Sequence, residues 1–135
     1  MASEIVRVNT ENVTPLWPQV APLIEPILVA VGTHDIEDVR KALLVTQAHL
    51  WVQWTGEVEA AVVTDFSSYP KGVWLRIWLM GTKPGAKIEW AKFQALLDDF
   101  KKAHGCVGTE IWGRGGWARR YMDARRDFIV LRKPG

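Results

Sequence analysis

The chain reads VWLRIWLMGTKPGAKIEWAKFQALLDDFKKA from residue 73 to residue 103, and this stretch decides the fold. Its first part, Val73 to Met80, is a nearly continuous apolar run, which indicates a strand buried on both faces and therefore central in a sheet. A loop, Gly81 to Ala86, separates this strand from a segment with helical apolar spacing, Lys87 to Ala103. Val107 to Trp112 has the composition of another strand. A strand, a long helix and a second strand form a crossover unit, so the two strands are predicted to be parallel.

Two further strands are predicted immediately before this unit. His49 to Trp54 and Val58 to Phe66 are rich in β-forming residues and are separated by a turn at Thr55 to Glu57. Because the connections are short, these two strands and Val73 to Met80 are expected to form an antiparallel meander.

The N-terminal third is predicted to contain a short strand and two helical regions. Ile5 to Val8 is the strand. Leu16 to Val31 has helical apolar spacing but is interrupted by prolines, which predict two short or kinked pieces because proline removes a donor and clashes with the preceding turn. A second helix is expected to start near an N-cap in Thr33 to Glu37 and to run to about Thr46.

Composition is that of an ordinary globular protein. The 135 residues, 48% apolar and 24% charged, predict a single domain over residues 1–135. The single cysteine, Cys106, excludes an internal disulfide framework and fits a reducing, cytoplasmic compartment. The apolar run Val20 to Val31 is interrupted and is expected to be too short to span a bilayer. No metal site is predicted, since the three histidines lack ligand spacing: His34, His49 and His104.

The C-terminal segment is basic and is predicted to hold the last two elements. Trp117 to Ala124 is expected to be a short helix and Phe128 to Leu131 a strand. Seven basic residues lie between Arg114 and Lys133, opposed by two aspartates. Such a surface could attract phosphates, nucleic acid or an acidic partner, or be a solvated helix face. Nucleic acid is the weakest of these, because no recognition motif accompanies the arginines.

The order of elements and several local motifs resemble one family. The motifs are Leu50-Trp51-Val52, Ala60 to Thr64, Tyr69-Pro70, Gly105-Cys106 and Gly113-Arg114-x-x-Trp117. By these residues, over nearly its whole length, the chain resembles the acetyltransferase-like (GNAT-type) proteins of bacteriophages and prophages. Some of those relatives are named internal virion proteins of T7-like phages. The resemblance implies a GNAT-like (acyl-CoA N-acyltransferase) α/β fold, in which helices flank a mixed central sheet with a V-shaped splay.

The resemblance also implies a cofactor site in the loop after the fourth strand. Backbone N–H groups of such a loop, with the positive end of the next helix, receive the pyrophosphate of acetyl-CoA. The expected binding residues are Gly81, Thr82, Lys83, Gly85, Ala86 and Lys87. The glycines permit close approach of backbone to ligand, and the lysines add charge. Thr82 and Lys87 depart from the family pattern, and a plain strand-to-helix connection is the alternative.

Four further residues are candidates for the chemistry. Glu110 is the candidate base and Tyr121 the candidate acid of an acyl transfer from CoA to an amine. The alternatives are a carboxylate paired with an arginine and a packed tyrosine. Arg114 and Trp117, displayed around Gly115-Gly116, are candidates to stack an adenine or contact a partner. A Trp that plugs the sheet is the alternative for Trp117.

Two function classes follow from the resemblance. The first is an acetyl-CoA-dependent N-acetyltransferase that uses CoA or acyl-CoA and an unknown amine or protein acceptor. The second is a non-catalytic phage protein that acts by contact with a phage or host protein, in the virion or in the host cytoplasm. The missing carboxylate on the fourth strand and the altered loop favour the second, whereas the fold favours the first.

Overall fold

The computed structural model describes residues 3–112. The elements, in chain order, are β1 (Glu4–Arg7), α1 (Thr10–Val31), α2 (Ile36–Leu44), β2 (His49–Trp54), β3 (Val58–Tyr69), β4 (Gly72–Thr82), α3 (Trp90–Ala103) and β5 (Gly108–Ile111). The predicted last helix, Trp117 to Ala124, and last strand, Phe128 to Leu131, lie outside the described residues.

The described strands form one mixed sheet in the order β1-β2-β3-β4-β5. The pairs from β1 to β4 are antiparallel, and β5 is parallel to β4. The predicted meander and the predicted crossover are therefore both confirmed. Helices α1 and α2 pack on one face of the sheet, around Val20, Ile24 and Val63. Helix α3 packs on the other, around Val62 and Phe93.

Helix α1 is one continuous helix of 22 residues, so the predicted division into two pieces is wrong. Its four internal prolines are all exposed: Pro15, Pro18, Pro22 and Pro26. Its buried residues are Val13, Trp17, Val20, Ile24 and Leu28, at helical spacing on the side that faces the sheet. Because the prolines are exposed, water can bond the carbonyl groups that lose their amide partners. The helix therefore continues through all four positions.

The apolar run Val20 to Val31 belongs to a helix that is longer than the run itself. Among residues 3–112, α1 is the one helix that is long and apolar enough to cross a membrane by length and composition. Core helices pass the same test, and Ile24 and Leu28 are buried against the sheet. In this fold the apolar side of α1 forms part of the core.

The start of α2 is as expected from its capping residues. The Asp35 side chain accepts a hydrogen bond from the Asp38 N–H, and the Asp38 side chain accepts one from the Asp35 N–H, each at 3.0 Å. This reciprocal cap satisfies two N–H groups that have no partner inside the helix. The helix ends at Leu44, two positions earlier than expected.

Strand β4 is paired on both sides, but it is not buried on both faces as predicted. Trp74 and Arg76 are partly exposed. A bulge interrupts the strand, because Val63 pairs with Leu79 and Thr64 pairs with Ile77, which leaves Trp78 as an extra residue. The bulge reverses the alternation of side chains.

Helix α3 begins at Trp90 rather than at Lys87, and a buried amide explains the difference. Gln53 Nε2 donates to the Lys87 carbonyl at 3.0 Å, and the Glu89 N–H donates to Gln53 Oε1 at 2.9 Å. Gln53 is 2% exposed on β2. The segment before α3 is therefore held by the sheet and does not join the helix.

Candidate functional site

Strands β4 and β5 form a short parallel ladder within the described residues. Their pairs run from Trp74–Gly108 to Ile77–Ile111. The Trp112 N–H then donates to the Ile77 carbonyl at 2.9 Å. Beyond this point, within residues 3–112, β4 continues to Thr82 with only β3 beside it. We call the space along this edge of β4 the fork. The implied V-shaped splay depends on residues after Trp112 and lies outside the described residues.

Two residues of β4 present backbone hydrogen-bonding groups to the fork. Pairs with and without mutual hydrogen bonds alternate along an antiparallel ladder. The Lys83 N–H donates to the Glu59 carbonyl at 2.7 Å, so Met80 and Thr82 fall in pairs without hydrogen bonds to β3. Their N–H and C=O groups are therefore directed away from β3, into the fork.

Gly81 serves helix packing, and its predicted role in cofactor binding stays a prediction. An ideal Cβ built at Gly81 would lie 2.0 Å from the Leu23 carbonyl oxygen of α1. That distance is far shorter than any real Cβ contact, so only glycine lets α1 lie this close to β4. The side of Gly81 that would carry a side chain thus faces α1.

The loop after β4 is an ordered turn. The Ala86 N–H donates to the Lys83 carbonyl at 2.9 Å, and Gly85 has φ +79°. Pro84 and Gly85 at the two central positions fit a type II turn, which requires positive φ at the second. The Lys83 ammonium forms an ion pair with Glu57, to which it also donates a hydrogen bond. That hydrogen bond raises the pKa of Lys83. The charge predicted for phosphate binding at Lys83 is therefore shared with a carboxylate.

Part of the predicted cofactor loop still offers free donors. The N–H groups of Gly85, Lys87 and Ile88 have no partner among residues 3–112, whereas those of Lys83 and Ala86 are occupied. The Lys87 side chain is exposed. The N-terminus of α3 adds partial positive charge next to these groups.

A carboxylate accompanies those donors. Glu89 is the N-cap of α3, and its Oε2 lies 3.2 Å from Lys92 Nζ. Its side chain makes no cap hydrogen bond. Any anion bound at this helix end therefore lies near a carboxylate that Lys92 partly neutralises.

Glu110 lies on β5 beside the fork, opposite Arg76 in the ladder. The Tyr69 hydroxyl donates to its carboxylate, 3.0 Å from Oε1 and 3.1 Å from Oε2. This hydrogen bond to Glu110 raises the pKa of Tyr69. The partner of Glu110 within the described part of the chain is thus a tyrosine and not an arginine. Sequence reasoning missed Tyr69 as a site residue, because the register that brings it to β5 is a tertiary property.

Arg76 pairs instead with Asp65 on β3. Arg76 Nε donates to Asp65 Oδ1 at 2.6 Å, and Nη2 bonds Oδ2. The guanidinium also lies over two indole rings, with Cζ 5.1 Å from the Trp78 centroid and 4.6 Å from that of Trp112. This arrangement, at the end of the described β4–β5 ladder, was not predicted.

Three predicted site residues, Arg114, Trp117 and Tyr121, lie outside the described residues. In residues 3–112, no group of three or more His, Cys, Asp or Glu side chains could hold a metal ion. Cys106 is partly buried, and burial raises the pKa of its thiol.

The described fold matches solved acetyltransferases over nearly their whole length. An aminoglycoside acetyltransferase from an uncultured soil metagenomic sample matches with a TM-score of 0.73, at 12% identity over 98% of this chain and 95% of that one. The fold is that of the GNAT acetyltransferases. A ribosomal-protein-alanine N-acetyltransferase from Brucella melitensis biovar Abortus 2308 matches this GNAT fold with a TM-score of 0.69, at 15% identity over 98% and 100% of the two chains. A predicted acetyltransferase with acetyl-CoA from Clostridium acetobutylicum matches with a TM-score of 0.63, at 13% identity over 96% of each.

These structural likenesses establish the GNAT fold. The substrates and ligands in the names of the matched structures are those of the matched proteins. No protein-family model and no curated protein sequence matches the chain. None of the three names mentions a phage or a virion. The phage origin, the virion or host partners and the cytoplasmic location therefore stay predictions.

Proposed function

We propose that this protein is an N-acyltransferase that binds acyl-CoA in the fork and transfers the acyl group to an amine. The observation that carries the proposal is the edge of β4 that faces away from β3, where Met80 and Thr82 direct backbone N–H and C=O groups and where no strand within residues 3–112 pairs with them. Acyl-CoA contains amide groups that can pair with such an edge as an added strand would. Fold likeness alone would not support an activity.

The residues present fit the two ends of this cofactor differently. Met80 and Thr82 would hold the amide-bearing arm, and the N–H groups of Gly85, Lys87 and Ile88 would hold the pyrophosphate. Glu89 makes binding of the pyrophosphate less favourable, since its carboxylate lies at the same helix terminus. The bound cofactor supplies an activated thioester. We also assign Arg114 and Trp117 to the adenine end as part of the proposal.

Glu110 is the proposed base for the acceptor. It lies opposite Arg76, one residue before the last described β4–β5 pair, and a carboxylate can take a proton from an amine. The Tyr69 hydroxyl orients the carboxylate by donating to both oxygens. Tyr121 is retained as the proposed acid for the departing thiolate.

Thermal unfolding with and without acetyl-CoA tests the proposal directly. At one hundred times its dissociation constant, the ligand should stabilise the fold by about 2.7 kcal/mol. Backbone amide shifts should follow at Met80, Thr82, Gly85 and Lys87. An unchanged unfolding midpoint at millimolar acetyl-CoA, or shifts confined to the C-terminal arginines, would contradict it.

A second candidate is contact with another protein without catalysis. It is supported by the pairing of Lys83 with Glu57 and by the carboxylate of Glu89 at the N-terminus of α3, since both reduce the charge offered to a pyrophosphate. The proposed phage origin and cytoplasmic or virion location belong to this candidate. Absence of acetyl-CoA binding would favour it, and tight binding would favour the enzyme.

A further inference from the structure

An arginine and a buried histidine meet at one phenyl ring, at the opposite edge of the described sheet from β5. Arg7 is the last residue of β1 and His49 the first residue of β2, and these two strands pair with each other. Arg7 Cζ lies 4.7 Å from the Phe100 ring centroid, and the His49 ring centroid lies 4.9 Å from it. The two side chains therefore belong to one cluster, beside β1 and far from the fork.

The guanidinium of Arg7 carries a charge that no carboxylate balances. Of the three arginines within residues 3–112, Arg40 and Arg76 each form an ion pair, whereas Arg7 forms neither an ion pair nor a hydrogen bond. Its side chain is exposed and rests on Phe100. A guanidinium is a planar fork that fits a carboxylate through two parallel hydrogen bonds. Arg7 thus presents such a fork without a partner from the described chain.

His49 is oriented by hydrogen bonds from the core. The Trp51 Nε1–H donates to Thr64 Oγ1 at 3.0 Å, and that oxygen lies 3.4 Å from His49 Nδ1. The indole can only donate, so the hydroxyl hydrogen of Thr64 is available to Nδ1, and we assign the imidazole proton to Nε2. Within residues 3–112, Nε2 has no hydrogen-bond partner, although His49 is only 9% exposed. A nearly buried donor of this kind gains free energy from any acceptor that reaches it.

A cavity of about 400 Å³, which we call the Arg7 cavity, adjoins both residues. The backbone N–H groups of Thr10 and Glu11, in the first turn of α1, have no hydrogen-bond partner within residues 3–112. The start of a helix also carries partial positive charge. A space of this volume is large enough for a small organic molecule. Its polar lining is formed by Arg7, Asn9, Thr10, Glu11, Thr46 and His49.

The charges around the Arg7 cavity favour a ligand with a single negative charge. Burial, and then the positive charges of Arg7 and His104, lower the pKa of His49 to about 4, while Asp65 acts in the opposite direction. At neutral pH the imidazole therefore donates a hydrogen bond without adding a charge. Arg7 supplies one positive charge, and the Glu11 carboxylate on the lining opposes a second negative charge on the ligand. A carboxylate fits these charges better than a phosphate dianion does.

We propose that the Arg7 cavity binds a small organic carboxylate, with the Arg7 guanidinium on both carboxylate oxygens and His49 Nε2 donating a further hydrogen bond. This site goes beyond the proposed function, because the Arg7 cavity shares no residue with the fork. A ligand in it contacts the end of β1, the start of α1 and the start of β2 at once.

Titration with sodium acetate at neutral pH, followed by nuclear magnetic resonance, tests the proposal. Sodium chloride at the same ionic strength is the reference. Acetate should cause saturable shifts at the His49 ring nitrogens and at the Trp51 Nε1–H, which is linked to His49 through Thr64. Arg7→Gln should raise the Kd for acetate by about tenfold or more, since it removes the charged hydrogen bonds. Because Arg7 is exposed, this variant should fold as the wild type does.

The matched control is Arg40→Gln, which removes the same charge from α2, where Arg40 pairs with Glu37. It should keep the wild-type Kd for acetate. Absence of saturable shifts at His49, or an equal Kd in Arg7→Gln and the wild type, would overturn the proposal. Inorganic phosphate should bind at least about tenfold more weakly than acetate. Equal or tighter binding of phosphate would overturn the choice of a carboxylate.

His49→Phe tests the second donor. It keeps an aromatic ring against Phe100 but removes the Nε2–H, and it should raise the Kd for acetate by about tenfold. If this variant does not fold, the nitrogen-15 shift of Nε2 in the wild type decides: acetate should move it, and an unmoved resonance would overturn the role of His49. Arg7→Gln should bind acetyl-CoA as the wild type does. A wild type that binds acetate and not acetyl-CoA would refute the proposed function and support the carboxylate site.

Discussion

His49 is a buried histidine with an aromatic environment, and it makes stability depend on pH. Its ring lies 5.1 Å from that of Phe66 and 4.9 Å from that of Phe100, edge-on to both. Burial, and then the positive charges of Arg7 and His104, lower its pKa to about 4. The folded protein therefore keeps His49 neutral at pH values where the unfolded chain already protonates it.

The free energy of unfolding should therefore fall as the pH falls from about 6.5 to about 4. In the unfolded chain the imidazole binds a proton near its ordinary pKa of about 6.5, whereas in the folded protein it does so only near 4. The loss from this one residue is on the order of 3 kcal/mol. Urea unfolding at several pH values measures it. His49→Gln lacks the titrating group, so its curve should be flatter by that amount; parallel curves would refute the assignment.

At the scale of elements, the start of α3 depends on a residue far away in sequence. Gln53 holds both the Lys87 carbonyl and the Glu89 N–H from inside the sheet. Gln53→Leu leaves these two backbone groups without partners and should cost about 1–3 kcal/mol of stability for each. Because Lys87 is part of the proposed phosphate site, acetyl-CoA affinity should fall as well.

The control for this variant is Gln47→Leu. Gln47 is exposed, and its side chain makes no hydrogen bond within residues 3–112. The same loss of an amide there should leave chemical unfolding and affinity nearly unchanged. Equal stability of both variants would mean that the segment before α3 holds its conformation without Gln53.

The strands differ in how much of their structure can be predicted from the sequence. The limits of β2 and the parallel pairing of β5 follow from local composition and from the crossover rule, and both are confirmed. The bulge at Trp78 could not be found, because a continuous apolar run has no alternation for an extra residue to interrupt.

At the scale of the whole molecule, the sheet assembles residues that no local pattern connects. Glu110 was proposed from its place on a strand, yet its partner Tyr69 is 41 residues away. Likewise, Asp65 and Trp112 meet at Arg76 only because β3 and β5 both pair with β4. The sequence therefore predicts the fold and single candidates for the site, while contacts between strands determine the partners of those candidates.

The four prolines of α1 bear on the order in which the molecule folds. Each proline inside a helix costs about 3 kcal/mol of helix stability relative to alanine, so the segment Thr10–Val31 should have little helical content by itself. Docking of the buried side of α1 on the sheet, which includes Val20 and Ile24, compensates this cost, so we expect the strands to assemble before α1 forms. Circular dichroism of the isolated segment in water checks the prediction: it should be largely unstructured. A strongly helical spectrum would mean that α1 can guide the strands together instead of following them.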